Sequence, residues 1–197
     1  MAEFRYAPVL AAKSREAAPH KSLSAKPEHS MFELCIDQAR SSSMDSIKGA
    51  FGLTLPEKPL SFTQSDVWRA LWVRPSRWLL VSSEPMRARD HAELGERLMR
   101  DGHALVDVSH RSAWFSITGG DAVELLSAET ILDLRPRSFA PGSVARTRFH
   151  DLPVLLCRNA MEDFDLFVGR SHAVTVWRLL NIAASRMQKA ASDSETP

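Results

Sequence analysis

The order of the predicted secondary-structure elements occurs twice along this chain, and that repeat limits the folds open to it more than any other feature. Each half begins with a predicted strand and continues with a short helix, a loop containing proline, a hairpin and a longer helix. The segments FELCI (32–36) and WFSIT (114–118) open the halves, and RWLLVS (77–82) and FDLFVG (164–169) precede their long helices. Chance also produces such strings in α+β chains, but the pattern favours a duplicated strand-helix-hairpin-helix unit, an α+β fold with mixed or antiparallel sheets.

The two ends of the chain fall outside this repeat. Residues 11–30 mix Pro, Ser, Lys and Ala without helical or strand periodicity, so residues 1–30 are predicted to be an extended N-terminal arm that is disordered on its own. Residues 31–188 form the predicted α+β domain, with pseudo-repeats at about 31–110 and 111–188. Residues 189–197 are predicted to be a polar tail.

Capping signals place the helix ends. Ser43 and Ser83 are predicted to begin two helices of the first half, and Gly52 and Gly102 to end them. The last helix is predicted over residues 171–187, because its apolar residues are spaced four, three, four and three apart and so form one stripe: Ala173, Trp177, Leu180, Ala184 and Met187.

Composition excludes several classes of protein. The formal net charge of the 197 residues is +1, which favours neither a nucleic-acid partner nor an acidic substrate. No apolar run approaches 18 residues, so we expect no membrane span, and Glu3 and Arg5 interrupt the start of the chain where a signal peptide needs an apolar core. We therefore expect a cytoplasmic protein, in which Cys35 and Cys157 are buried, reduced thiols rather than a disulfide or a metal pair.

A strand, two glycines and a helix follow one another at Gly119 and Gly120, as in many phosphate-binding loops. The spacing matches neither the P-loop nor the dinucleotide-binding pattern, and no lysine follows. Asp121 and Glu124 instead have the spacing of a capping box, whose side chains would occupy the amides that a phosphate needs. The sequence therefore predicts a structural turn.

The search for a catalytic centre gives only weak candidates. Asp107 and His110 form a possible acid–base pair, although such residues more often cap strand ends and face solvent. Asp163 and Asp165 flank Phe164 in a predicted hairpin, and we expect them to point to water. The seven histidines include no metal-binding spacing, so no catalytic, cofactor or metal residue is assigned.

Candidate partner-contact residues are easier to name. Arg135 and Arg137 lie on a predicted loop, and Arg146 and Arg148 are two residues apart on the following strand, where they face one side. These four arginines form a docking patch for an acidic partner surface, an anion site or a solvated face.

The five tryptophans are numerous for a chain of this length. Trp78, Trp114 and Trp177 lie in apolar company and are predicted to be core residues. Trp68 and Trp72 are four apart on one predicted strand face, and either is a candidate for exposure to a partner.

Four segments together resemble the gamma subunit of heterotetrameric sarcosine oxidase: LWVRPSRWLLV, ALVDVSHRSAWFSITGGDAVELLS, LDLRPRSFAPGSVARTR and FDLFVGRSHAVTVWRLL. The resemblance covers residues 67–180, and residues 132–148 are its most specific part. The strand–glycine–helix segment is also similar to the folate-binding glycine cleavage T-protein. The resemblance implies a folate-binding-domain fold with an internal duplication, in agreement with the repeat.

The resemblance also implies a function that the residues alone do not reveal. It implies a non-catalytic subunit of a complex that demethylates sarcosine oxidatively to glycine, hydrogen peroxide and a one-carbon unit, released as formaldehyde or methylene-tetrahydrofolate. The partners implied are the alpha, beta and delta subunits, with NAD, FAD, FMN and tetrahydrofolate bound outside this chain. Neither nucleic acid nor a membrane is an expected partner.

Two alternatives stay open. One is a stand-alone folate-binding module for one-carbon transfer, for which Asp107 is the carboxylate that would face a pterin ring. The other is the equivalent subunit of a complex that oxidises a different N-methyl amine.

Overall fold

The computed structural model describes residues 22–26, 28–37 and 44–194, with side chains described as far as residue 189. Its elements divide between two units. The first unit holds the described residues of 28–111 and 142–145, and the second holds 22–26, 112–141 and 146–194. In the described parts of the chain, no helix is long and apolar enough to cross a membrane.

The first unit is built on a five-stranded antiparallel sheet. The first strand of the described residues, β1 (Leu23–Lys26), belongs to the second unit. The elements of the first unit, in chain order, are β2 (Ser30–Ile36), α1 (Asp45–Phe51), β3 (Phe62–Gln64), β4 (Arg69–Arg74), β5 (Arg77–Ser82), α2 (Ala88–Arg100) and β6 (His103–Asp107). The strands lie in the order β3-β4-β5-β2-β6, and every pairing is antiparallel.

The core of this unit forms on one face of the sheet, because side chains alternate between the two faces along each strand. Successive side chains of a strand point to opposite faces, so Phe32 and Leu34 of β2 share one face with Leu80 of β5. Both helices contribute to the same cluster, through Ile47 of α1 and Leu98 of α2. Each of these side chains is almost fully buried, which is worth roughly 1.5–3 kcal/mol apiece relative to exposure.

The second unit repeats this architecture. Its remaining elements are β7 (Ser112–Thr118), α3 (Ala122–Glu129), β8 (Val144–Phe149, of which residues 146–149 belong to this unit), β9 (Leu152–Ala160), β10 (Asp163–Gly169), a 3₁₀ turn (Arg170–His172) and α4 (Ala173–Ser194). Its strands lie in the order β1-β7-β10-β9-β8. The predicted stripe on α4 is confirmed, since Ala173, Trp177, Leu180 and Ala184 are buried and Met187 is half-buried.

The two sheets match strand for strand, with one exception. β2, β3, β4 and β5 correspond to β7, β8, β9 and β10, and they occupy the same positions in their sheets. The fifth strand beside β2 is β6, which follows α2 along the chain, whereas the strand beside β7 is β1, which comes from the N-terminal segment. The predicted repeat of element order is therefore present, and the α+β prediction is confirmed with antiparallel sheets.

The predicted alignment of FELCI (32–36) with WFSIT (114–118) is wrong by one residue. Phe32 points toward the helices of the first unit. Trp114, its partner in the alignment of FELCI with WFSIT, points to the opposite face of its sheet, and Phe115 is the residue whose ring lies 5.3 Å from that of Trp177 on α4. A shift of one residue reverses the face of every side chain in a strand, so the strands correspond but the aligned letters do not.

Both predicted ends need correction. Residues 23–26 of the predicted arm form β1, which pairs with β7 from Leu23 opposite Ile117 to Lys26 opposite Trp114. The predicted tail is also wrong in part, because α4 continues to Ser194. Residues 1–21 and 195–197 lie outside the described residues.

One helix start also differs from its prediction. α2 begins at Ala88, not after Ser83, and its N-terminus has no side-chain cap. Two other serines accept from backbone amides of the preceding segment: Ser82 Oγ from Glu84, at 3.0 Å, and Ser30 Oγ from Met86, at 2.5 Å. These bonds hold residues 84–86 outside the helix. Gly52 ends α1 as predicted, with a left-handed φ of 66°, whereas Ser43 lies outside the described residues.

Candidate functional site

Arg135 is the most constrained of the four predicted patch arginines. Its Nε and Nη2 donate to the two carboxylate oxygens of Asp133, at 2.8 and 2.6 Å, and its backbone N–H donates to the same group at 3.0 Å. Ser138 Oγ adds a fourth bond at 2.7 Å, and these donors hold the pKa of Asp133 well below its usual range. The charge of Arg135 is therefore largely neutralised within its own loop.

All four patch arginines are exposed, and the other three lack the dense bonding of Arg135. Arg146 and Arg148 lie two residues apart on β8, as predicted, and both side chains reach solvent. Arg148 has a long ion pair of 4.0 Å with Asp151, which is itself fully exposed. Arg137 is exposed on the preceding loop. All four arginines belong to the second unit, and whether they contact a partner stays a prediction.

Trp68 is a core residue, so of the two candidates for exposure to a partner it is the wrong one. Its side chain is 8% exposed and lies between the rings of Phe32, at 5.5 Å, and Phe51, at 5.2 Å. Trp72 is half-buried against the same cluster. Trp78, Trp114 and Trp177 are buried, as predicted.

A buried arginine that the sequence analysis missed lies on β9. The Arg158 side chain is 1% exposed, and its guanidinium lies 5.0 Å from the ring centroid of Phe164. Its N–H groups donate to four backbone carbonyls, those of Leu134 and Phe139 at 2.7 Å each, that of Ala160 at 3.2 Å, and that of Met161. Burial lowers the pKa of Arg158. Arg158 thus ties the loop after α3 to the turn between β9 and β10.

A cavity of about 490 Å³ opens beside this arginine. Its apolar walls come from Val123 of α3, from Leu132 and Leu134 of the loop, and from Met161. Asp133, Arg135, Arg158 and Glu162 add charged groups to the lining. The Asp133–Arg135 ion pair, which is made within the loop, therefore forms part of one wall.

Asp165 also differs from its prediction. The carboxylate is 3% exposed instead of facing water. It accepts hydrogen bonds from Trp114 Nε1 at 2.7 Å, Ser116 Oγ at 2.7 Å and Asn159 Nδ2 at 2.9 Å. Asn159 also donates to Asp163, at 3.0 Å. A buried carboxylate is costly unless it accepts hydrogen bonds, and these donors satisfy Asp165. Because the donors lie on β7 and β9, the network also links three neighbouring strands, β7, β10 and β9.

A second charged cluster, the Glu33 cluster, lies in the first unit. Glu33 of β2 accepts from Arg74 Nη2 at 3.1 Å, Arg77 Nη1 at 2.8 Å and Arg111 Nη1 at 3.0 Å. The Glu33 side chain is only 16% exposed, whereas the arginine side chains are 42–57% exposed. The bond from Arg77, with those from Arg111 and Arg74, lowers the pKa of Glu33 from 4.5 to about 2 despite its burial.

The glycine turn is ordered by backbone geometry. Gly119 has a φ of +99°, which favours glycine, and its N–H donates to the carbonyl of Glu162 at 2.9 Å. The predicted capping box is wrong, because Asp121 precedes α3 without a side-chain cap bond.

The weak catalytic and metal candidates gain no support. The Asp107 carboxylate is exposed and accepts from the backbone N–H of Ser109 at 2.8 Å, as a strand-end cap does. Cys157 is buried as predicted, Cys35 is half-buried, and neither forms a disulfide. In the described parts of the chain, no group of three or more metal-binding side chains comes together.

Comparison with solved structures identifies similar folds. A chain of the heterotetrameric sarcosine oxidase from Corynebacterium sp. U-96, solved with pyrrole 2-carboxylate, superimposes with a TM-score of 0.76 at 22% identity, over 93% of this chain and 96% of that one. The glycine cleavage system aminomethyltransferase T from Bartonella henselae superimposes with a TM-score of 0.59 at 12% identity. That match covers 80% of this chain and 44% of the aminomethyltransferase. Both likenesses concern the fold.

Comparison of sequences gives the family. No curated protein sequence matches this chain significantly. The model of the sarcosine oxidase, gamma subunit family matches residues 36–186, which is most of the chain and includes elements of both units. The chain belongs to the sarcosine oxidase gamma subunit family.

Proposed function

We propose that this chain is a non-catalytic gamma subunit of a heterotetrameric sarcosine oxidase. In this role it packs against larger subunits that convert sarcosine to glycine, hydrogen peroxide and a one-carbon unit. The observation that carries the proposal is the family match over residues 36–186. The likeness of fold to a chain of a heterotetrameric sarcosine oxidase, over nearly the full length of both chains, supports it.

The proposal assigns cofactors and partners to other chains. FAD, FMN, NAD and tetrahydrofolate would bind to the alpha and beta subunits, and the delta subunit completes the complex. A permanent subunit of this kind usually buries more than ~2,000 Å² at its interfaces. Exposed arginines are frequent in such interfaces, so Arg137, Arg146 and Arg148 are the patch residues that we propose to face a partner.

Co-expression with the three other subunits tests the proposal. A tag on this chain should recover two larger chains and one small chain in constant proportion, and the recovered complex should consume oxygen with sarcosine. The tagged chain on its own should carry no flavin absorbance. Recovery of this chain alone, or turnover by the purified chain alone, would contradict the proposal.

The alternative of a folate-binding module depended on Asp107. That carboxylate is exposed and bonded to its own turn, and it does not line the cavity beside Arg158. We therefore keep the subunit role first. Saturable binding of a reduced folate to this chain, at tens of micromolar or below, would reverse that order.

The identity of the oxidised amine is a separate question. An equivalent subunit in a complex that oxidises another N-methyl amine would have the same fold, since the substrate contacts would lie on other chains. Oxygen consumption by the recovered complex with sarcosine, dimethylglycine and N-methylproline separates these possibilities.

A further inference from the structure

The Glu33 cluster carries more positive charge than the first unit needs to neutralise its central carboxylate. Arg74, Arg77 and Arg111 bring three positive charges to one negative charge, because the lowered pKa keeps Glu33 ionised at neutral pH. An excess of two positive charges remains on a partly exposed surface. Such an excess is repulsive within the chain and becomes favourable when an anionic group approaches.

The three guanidinium groups are held in fixed positions. A guanidinium has five N–H donors, and each of these arginines donates one of them to a Glu33 oxygen. Most of the donors therefore remain available for carboxylates of another molecule. Binding to side chains that are already ordered costs less conformational entropy than binding to free surface arginines.

Apolar residues flank the cluster on the neighbouring strand. Val106 of β6 lies directly opposite Glu33 in the sheet and is 50% exposed, and Ala104, also exposed, lies opposite Cys35. An exposed apolar strip beside ordered arginines has the composition of a protein interface, in which arginine is enriched. Both residues and the cluster belong to the first unit.

We propose that the Glu33 cluster and the adjacent Val106 strip dock a carboxylate-rich segment of a larger partner subunit. This inference rests on the proposed subunit role. It adds a second contact surface, on the first unit, to the arginine patch on the second unit. The two or more carboxylates of the docked segment pair with Arg74, Arg77 and Arg111, and an apolar side chain of that segment covers Val106.

The double substitution Arg74→Gln/Arg111→Gln removes both excess charges and leaves the fold supported. Arg77 keeps the 2.8 Å ion pair with Glu33, so the half-buried carboxylate stays partnered. The matched control is Arg89→Gln/Arg97→Gln on α2. It changes the net charge by the same amount at exposed positions of the same unit, one of which has its own ion pair with Glu93. Circular dichroism and thermal unfolding of each variant verify the fold.

The measurement is the affinity of the purified partner subunits for this chain at several salt concentrations. For the cluster variant we expect the apparent dissociation constant at low salt to rise at least ~10-fold, and the difference to shrink to below ~3-fold at ~0.5 M salt, where charges are screened. The control variant should bind within ~2-fold of the unmodified chain.

Each outcome decides the matter. If the unmodified chain assembles and the cluster variant binds equally well, the docking inference is wrong and the subunit role stands. If the cluster and control variants weaken equally, net charge alone acts, and the cluster is not a specific surface. If the unmodified chain does not bind the partner subunits, both the subunit role and the docking inference are overturned.

Discussion

Replacing Glu33 by Gln should destabilise the protein near neutral pH and have almost no effect in strong acid. The substitution leaves Arg74, Arg77 and Arg111 around an uncharged amide. Their mutual repulsion is then unopposed, whereas in the unmodified protein the carboxylate offsets it. We expect the free energy of unfolding to fall by about 1–2 kcal/mol at pH 7.

The lowered pKa and the exposure of the partners set this magnitude. A fall in the pKa of Glu33 from 4.5 to about 2 would be worth about 3 kcal/mol at ~1.4 kcal/mol per pKa unit, if no solvent screening applied. The arginine side chains are 42–57% exposed, so water and salt weaken each pair toward the ~0.2–1 kcal/mol of a surface ion pair. Three such pairs on one carboxylate give the lower figure of about 1–2 kcal/mol.

The sign of the pH dependence follows from the direction of the pKa change. Because folding lowers the pKa of Glu33, its stabilising contribution is complete above pH 4.5, and it is lost as the pH falls toward about 2. The difference between the unmodified protein and Glu33→Gln should therefore be constant from pH 7 to 5 and close between pH 4.5 and 2.

Urea unfolding followed by tryptophan fluorescence measures this difference at each pH. Glu93→Gln is the control, since Glu93 has a single exposed ion pair with Arg89, and it should change the free energy of unfolding by less than ~0.5 kcal/mol. The reasoning is refuted if both substitutions cost the same at pH 7, or if the cost of Glu33→Gln does not decrease in acid.

Three further predictions concern the second unit. Arg146→Glu with Arg148→Glu should weaken co-purification with the partner subunits and leave thermal unfolding of this chain unchanged, because both side chains are exposed; undiminished co-purification would identify a solvated face. Trp177→Ala should lower the free energy of unfolding in urea by about 3–5 kcal/mol, because its ring is buried, and a cost below ~1 kcal/mol would refute this packing. Arg158→Met should cost about 2–4 kcal/mol, because the buried carbonyls of Leu134 and Phe139 lose their donor, and should speed proteolysis of residues 131–141; an unchanged cleavage rate would show that Arg158 does not hold this loop.

Local patterns along the chain predicted the regular elements well. The spacing of the apolar residues on α4 and the left-handed Gly52 after α1 depend on neighbours within a few positions, and both were found as expected. The hairpin of β4 and β5 is likewise a local structure, with strands that meet across a short turn. The family resemblance indicated the family, which the match over residues 36–186 confirms, and it suggested the proposed function, which these local patterns do not contain.

Two residues whose burial was not predicted, Asp165 and Arg158, have partners that are distant in sequence. Asp165 looks like an outward-facing hairpin residue until Trp114 and Asn159 are placed beside it by strand pairing. Arg158 ends an apolar run, where a charged residue normally reaches water, but here the carbonyls of a loop some twenty residues earlier receive its donors. Side-chain burial of this kind is fixed by tertiary contacts, which a single sequence does not report.

The position of β1 separates the order of synthesis from the order of assembly. All strands of the first sheet are made within one continuous stretch, so that sheet has its complete set once β6 has left the ribosome. β1 is translated before any of them, yet it cannot pair until β7, roughly ninety residues later in the chain, has been synthesised. A deletion of β1 should therefore destabilise the sheet of the second unit, which lies in the carboxyl-terminal half of the chain. The strands of the first sheet, which directly follow the deletion in sequence, should stay folded.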